Sequence, residues 1–402
     1  MIDLASEETR RNPYVLYRTV RALARVVREP TTGLWLALDY ESVREALQNH
    51  EAFSSVIAGT GGGPGRWPLF SDPPRHTRLR ALVSKAFTPR VVTDLEPRIR
   101  KLSRDLLAPH IPAGKMDLVL DYAVPLPLCV IAEMLGVPAA DWRKLRQWSD
   151  IMMGMIHTLL PGSRAQDAVA AYRTTHAEIT SYIAALAEER RSKPTEDLLS
   201  RLVQAEVDGD RLSQEDLVGF FELLLLAGHE TTTNLIGNMA LCLFEYPENV
   251  ARLKSDTGLR ASAIEEVLRY RSPVQMMGRV ALRDVELGGQ PIPQGSKVFA
   301  VIGAANRDPE SFPDADRFDV ARNPNPHIAF GQGIHFCIGA PLARLEGRIA
   351  LDDLLELRGL ARSEDGPWEP REAFHVHGPA RLPVQFEVDY NDASAHAKEN
   401  PK

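Results

Sequence analysis

Of three cysteines in 402 residues, Cys337 alone stands where sulfur chemistry is favoured. Its segment reads Phe330-Gly331-Gln332-Gly333-Ile334-His335-Phe336-Cys337-Ile338-Gly339-Ala340, and a helical pattern follows from Pro341 through Leu342, Ala343, Leu345 and Ile349. Gly331 and Gly333 permit a tight loop in backbone regions closed to other residues. Such a loop can aim N–H groups at the sulfur, and the helix start behind it adds positive dipole, which favours a thiolate. A free cysteine is often just a small buried hydrophobe; the flanking glycines tilt the reading towards a ligand. A lone cysteine lacks the companions of structural zinc or of a four-thiolate iron–sulfur cluster. It leaves a nucleophile with His335 as base, or a single thiolate holding a haem iron. Cys129 and Cys242 lack this setting and read as core residues.

A second constellation is Ala227-Gly228-His229-Glu230-Thr231-Thr232-Thr233-Asn234. It interrupts a very apolar run that includes Phe220, Phe221 and Leu223 to Leu226. Glycine costs about 1 kcal/mol in a helix interior, and buried Glu and Thr need partners. The plain reading is a polar layer between two core blocks. His229-Glu230 begins a His-Glu-x-x-His zinc pattern, but Thr233 occupies the second histidine position. A third reading is a proton relay beside a large flat ligand lying on the Gly228 face. Glu266 and Arg269, three apart, share a helix face; such a pair is usually a solvated one.

These residues need particular elements to position them. A helix is predicted from Ser213, with Asp216 completing a capping box, to about Tyr246, where Pro247 disfavours continuation. At 1.5 Å per residue it spans about 48 Å, the width of the molecule. Residues 165–192 have helical spacing. Leu34 to Leu38 read as a strand, and short paired strands follow residue 279, turning at Gly288-Gly289 and Gln294-Gly295. The class is mainly α with a smaller β region, read as one domain over 1–402 with a frayed tail at about 389–402.

Composition bounds the partners. With 44% hydrophobic and 25% charged residues the chain is an ordinary globule. Its 47 basic and 54 acidic residues give a net charge of −7, which argues against nucleic acid. The sparse cysteines suit a reduced cytoplasm, the acidic start is no signal peptide, and the longest apolar stretch, 122–132, is too short to span a membrane.

Taken together the motifs resemble the cytochrome P-450 superfamily, specifically its soluble bacterial branch. Residues 227–232 resemble the oxygen-activation segment of the long central helix, Glu266 and Arg269 the pair of the following helix, and 330–340 the haem-binding loop. Asp72 to Arg80 and the 306–318 segment resemble flanking family elements, so the likeness covers essentially the whole chain. The resemblance implies the P-450 fold, with haem b buried between the long central helix and the helix after the cysteine loop. It implies a haem-thiolate monooxygenase, with a peroxide-driven peroxygenase or a haem sensor as alternatives.

Several roles follow from the resemblance. Cys337 is the iron ligand, His76, Arg80, Arg279 and His335 hold the haem propionates, and Phe330, Gly331, Ala227 and Gly228 flank the haem. Glu230 and Thr231 deliver protons, and Glu266 with Arg269 locks the core near Arg317. The substrate, a hydrophobic small molecule, is expected against Leu223, Leu226, Val274, Gln275, Met276, Met277, His375 and Val376, with the 56–70 and 150–175 segments closing the cavity. O₂ is the co-substrate. Electrons are expected from a ferredoxin or flavodoxin with its NAD(P)H reductase, docking on Arg75, Arg78, Lys85, Arg344 and Arg348. No membrane is expected.

Overall fold

The computed structural model describes residues 6–56, 67–156, 165–364 and 366–388. The glycine-rich loop at 59–65, the tail from 389 and parts of the two cavity-closing segments lie outside the described residues. Eight helices frame the site: α1 (Arg75–Ala86), α2 (Glu96–Leu107), α3 (Pro125–Met134), α4 (Trp142–Ile156), α5 (Ala165–Ser192), α6 (Gln214–Glu245), α7 (Leu259–Tyr270) and α8 (Ala340–Glu356).

The central helix α6 begins with a reciprocal cap. The Asp216 N–H donates to the Ser213 hydroxyl at 3.1 Å, and the Ser213 N–H donates to the Asp216 carboxylate at 3.1 Å. It ends at Glu245, where Tyr246 leaves helical geometry ahead of Pro247. The polar segment does not break it, because α6 is one continuous helix through Gly228. From Asp216 to Leu243 every residue is buried except Leu223, Ala227, Gly228 and Thr231. Those positions, at i, i+4, i+5 and i+8, form one face. Elsewhere the helix packs on α3, α4, α5, α7, α8 and the helical turn Leu118–Ala123.

The β region is a five-stranded sheet of β1 (Val26–Arg28), β2 (Trp35–Ala37), β3 (Phe53–Ser54), β4 (Met277–Ala281) and β5 (Lys297–Ala300), in the order β1-β2-β5-β4-β3. Only β2 and β5 run parallel. The β4–β5 register pairs Met277 with Ala300 and Arg279 with Val298, and the pleat turns Met277 and Arg279 to the same side. The hairpin Val285–Leu287 to Gln290–Ile292 closes through Gly288 and Gly289 at φ +56° and +79°, the left-handed pair that a two-residue turn requires.

Glu266 and Arg269 are both fully buried, and so are not a solvated pair. Arg269 donates twice to the Glu266 carboxylate at 2.8 Å, and to the carbonyls of Asn306, Ala315 and Arg317. Glu266 also accepts from the Asp319 N–H, Arg322 and Asn325. Arg317 thus takes part through its main chain, not its guanidinium. The clamp fixes the irregular segment that leads into the cysteine loop. Among the described residues no helix is long and apolar enough to cross a membrane.

Candidate active site in the central cavity

A cavity of about 270 Å³ lies between α6 and the cysteine loop. Its α6 wall is the open face just described, extended by Phe220 and Leu224. Opposite lie Phe330, Gly331, Cys337 and the first turns of α8. Gly331 and Gly333 have φ of +73° and +70°. A Cβ on Gly333 would stand 3.0 Å from the Gln48 backbone, so the loop needs glycine there twice over. The Cys337 N–H donates to the Phe330 carbonyl at 2.9 Å, which folds the loop back on itself.

The Cys337 sulfur opens onto the cavity, and the N–H groups of Gly339 and Ala340 point at it. Burial nevertheless pushes this thiol above its ordinary range, against those two donors and the charges of Arg80 and Arg344. Desolvation thus works against the thiolate that loop and dipole favour. Cys129 and Cys242 are pushed up to about 11 and 12 by burial, as inert core thiols are.

At one end of the cavity His76, Arg80, Arg279 and His335 come together. The two imidazole rings lie 4.1 Å apart. Arg279 donates to the Gly278 carbonyl and Arg80 to the Phe336 carbonyl, and among the described residues neither pairs with a carboxylate. The His335 Nε2 is buried with no partner. Burial and the neighbouring His76, Arg279 and Arg80 push His335 down to about 3, so it makes a poor base for Cys337 at neutral pH. Burial also brings Arg279 down to about 10. The Asp72 carboxylate favours the charged forms of His76 and Arg279 but is itself bonded to Ser54 and Ser55, so the cluster keeps donor capacity for a further anion.

Glu230 and Thr231 are adjacent in sequence but point apart, because successive helix positions are about 100° apart. Thr231 faces the cavity and donates its hydroxyl to the Ala227 carbonyl at 2.6 Å. Glu230 points away, paired with Arg371 at 2.7 Å, and Arg371 also donates to Asn234. Burial raises the Glu230 carboxyl; Arg371 opposes the rise and Asp150 adds to it. His229 is buried against Ser149 and pushed down to about 3 by burial. Gly228 serves helix packing, since a Cβ there would meet Ile131 of α3 at 2.8 Å.

The expected substrate wall is partly corrected. Leu223, Val274 and Met277 line the cavity. Leu226 lies on the buried far side of α6. Gln275 turns inward to the Ser272 carbonyl and the Tyr14 hydroxyl, and Met276 packs with Tyr17 and Leu36. His375 and Val376 are used in backbone pairing, with the Gln275 N–H and with Val274. Of the four consecutive residues 274–277, only Val274 and Met277 reach the cavity wall. The sequence reading missed Glu346 of α8, fully buried on the cavity wall with both carboxylate oxygens unpartnered. Its signal was an acid four residues after Leu342 and three before Ile349, inside an apolar stripe.

The cytochrome P450 family profile matches residues 142–257 and 259–373. This chain belongs to the cytochrome P450 family. Cytochrome P450 109 of Bacillus spizizenii is 42% identical over 388 residues, covering 96% of this chain and 95% of that one. The vitamin D(3) 25-hydroxylase of Pseudonocardia autotrophica is 40% identical, covering 95% and 96%. The crystal structure of CYP109E1 from Bacillus megaterium in complex with testosterone superposes with a TM-score of 0.86 at 38% identity, covering 94% of this P450 and 100% of that chain. This P450 is accordingly a monooxygenase of small molecules that uses haem b, O₂ and a redox partner. The site fits that cofactor: one sulfur opens onto the cavity, and Arg80 and Arg279, which among the described residues pair with no carboxylate, stand beside His76 and His335 where two carboxylates can enter.

Proposed function

We propose that Cys337 is the sole protein ligand of the haem iron, and that His76, Arg80, Arg279 and His335 receive the haem carboxylates. The substrate we propose is an uncharged, largely apolar molecule of steroid-like size. Electrons would come from a ferredoxin or flavodoxin in the cytoplasm. The observation that carries this reading is the Cys337 sulfur facing the open stripe of α6 across a cavity with two arginines and two histidines gathered at one end.

Haem b, when bound, supplies the activation of O₂ and the transfer of one oxygen atom to a C–H or C=C bond. The chain does the rest. The Gly339 and Ala340 N–H groups and the charges of Arg80 and Arg344 would stabilise the Cys337 thiolate against burial once it held the iron. The donor nest orients the cofactor by charge-assisted hydrogen bonds. Phe220, Leu223, Leu224, Val274 and Met277 exclude water from the reacting side. The Thr231 hydroxyl rests with its own proton on the Ala227 carbonyl; to relay a proton it releases that bond, gives its proton into the cavity and accepts a replacement from water. Glu230 holds its proton to higher pH than an ordinary carboxyl and feeds Thr231 through water from the Arg371 side.

The apolar lining favours a neutral substrate. The relative crystallised with testosterone supports steroid-like bulk. Titrating testosterone and palmitate into the purified holoprotein tests this, with the low- to high-spin change as signal; palmitate binding the tighter of the two refutes the class. The reduced, CO-bound protein is expected to show the red-shifted Soret band of thiolate ligation. Cys337→Ala should abolish it; a variant that keeps the band refutes the ligand assignment.

A further inference from the structure

Glu222 is the one acid in Phe220-Phe221-Glu222-Leu223-Leu224-Leu225-Leu226, and its side chain is 1% exposed. Donors from two other parts of the chain converge on it. The Trp67 indole N–H reaches Oε2 at 2.8 Å, the Tyr172 hydroxyl reaches the same oxygen at 3.0 Å, and the His176 Nδ1 lies 2.7 Å from Oε1. Tyr172 and His176 stand four apart on α5 with their rings stacked at 5.8 Å. Trp67 is fully buried, stacks on Phe70 at 6.0 Å, and opens the short turn Pro68–Phe70.

Pro68 and Leu69 line the cavity, as do Phe220, Leu223 and Leu224 on either side of Glu222. Glu222 itself does not. Its carboxylate therefore lies behind the wall and binds that wall to both α5 and α6. A buried carboxylate is a poor choice for stability alone, since a well-packed apolar residue usually serves as well. What the carboxylate adds is direction: the Tyr172 and His176 bonds fix it against α5, and its one bond to the Trp67 indole holds that ring at one position, where apolar packing would let the turn slide.

We propose that Glu222 is a specificity-determining positioning residue, which sets how far the Pro68–Leu69 wall stands from α6 and so the bulk of substrate the cavity admits. This rests on the cavity being the substrate site of a haem monooxygenase.

The test uses imidazole and 4-phenylimidazole as small and large iron-binding probes, with dissociation constants read from the Soret shift of the holoprotein. In Trp67→Phe and in Glu222→Leu, 4-phenylimidazole is expected to tighten relative to imidazole by about tenfold. The reduced CO band should stay at its wild-type position. Tryptophan emission, with Trp67→Phe as the subtraction, is expected to shift red for Trp67 in Glu222→Leu, a readout that does not depend on haem. A probe ratio within about twofold of wild type in Trp67→Phe overturns the proposal. Should Glu222→Leu fail to fold, Tyr172→Phe replaces it, with the same criterion. Failure of the haem reading looks different, because imidazole would then give no Soret shift in the wild type.

Discussion

Thr231 and Glu346 are the two residues where proton chemistry meets the cavity most directly. The Thr231 hydroxyl is the polar group on the open face of α6, so Thr231→Ala is expected to leave haem and substrate binding intact while product per NAD(P)H falls by roughly tenfold or more. Peroxide should rise to match; unchanged coupling would remove Thr231 from the relay. Glu346 has the opposite character. Burial raises its carboxyl well above 4.5, and no charge opposes the rise. A carboxyl with a raised folded value contributes stability that is intact below its unfolded value, near 4.3, and is lost as pH climbs towards the folded value. Glu346→Gln, which cannot ionise, should therefore gain on wild type as pH rises from 5 to 8. Denaturation midpoints of both proteins across that range check this; a constant difference would show that the Glu346 carboxyl is not raised in the folded protein.

Among the elements, the α7 clamp is the most exacting. Glu266 and Arg269 hold the chain from Asn306 to Asn325 by buried hydrogen bonds, and that chain runs straight into the cysteine loop. Breaking one member leaves an uncompensated buried charge, so Arg269→Ala is expected to cost about 3–5 kcal/mol. Arg269→Lys should rescue little, because a point charge cannot reproduce two bonds to one carboxylate and three to carbonyls. Urea denaturation and haem retention measure both variants. A loss under about 1 kcal/mol for Arg269→Ala would mean the clamp is dispensable.

For the whole molecule the question is how a chain of net charge −7 attracts an electron donor. The basic residues expected to dock it are each engaged internally. Arg75 and Arg78 pair with Asp216 at 3.3 and 3.2 Å, Arg78 with Asp210 at 2.5 Å, Arg344 with Glu265 at 2.7 Å and Arg348 with Glu96 at 2.8 Å, while Lys85 donates to the Glu206 carbonyl. The face is a set of half-exposed ion pairs, not a bare positive patch. Steering is correspondingly weak and short in range. Arg78→Glu with Arg344→Glu is expected to slow electron transfer from a ferredoxin by about three- to tenfold at low salt and to flatten its salt dependence. Peroxide-driven turnover should be spared. Equal loss of both activities would show damage to the fold, and no loss of either would place the donor elsewhere.

Chemistry carried by contiguous residues was legible in the chain itself. The cysteine loop depends on Gly331, Gly333 and a helix start, all local; the cap of α6 needs only Ser213 and Asp216; the hairpin at Gly288-Gly289 needs two left-handed residues in a row. Local backbone preference is enough to specify each of these. Side-chain direction over long separations was not legible. Gln275, Met276, His375 and Val376 are near the cavity in sequence terms, yet none of them lines it, and Gln275 and Met276 are taken up by Ser272, Tyr14 and the Tyr17–Leu36 cluster. Glu230 is beside Thr231, yet its partner Arg371 comes from the far end of the chain. Glu222 reads as an oddity in an apolar helix until Trp67, Tyr172 and His176 are brought to it. Which group a buried charge meets is set by how distant elements pack, because only packing removes the water that would otherwise satisfy it.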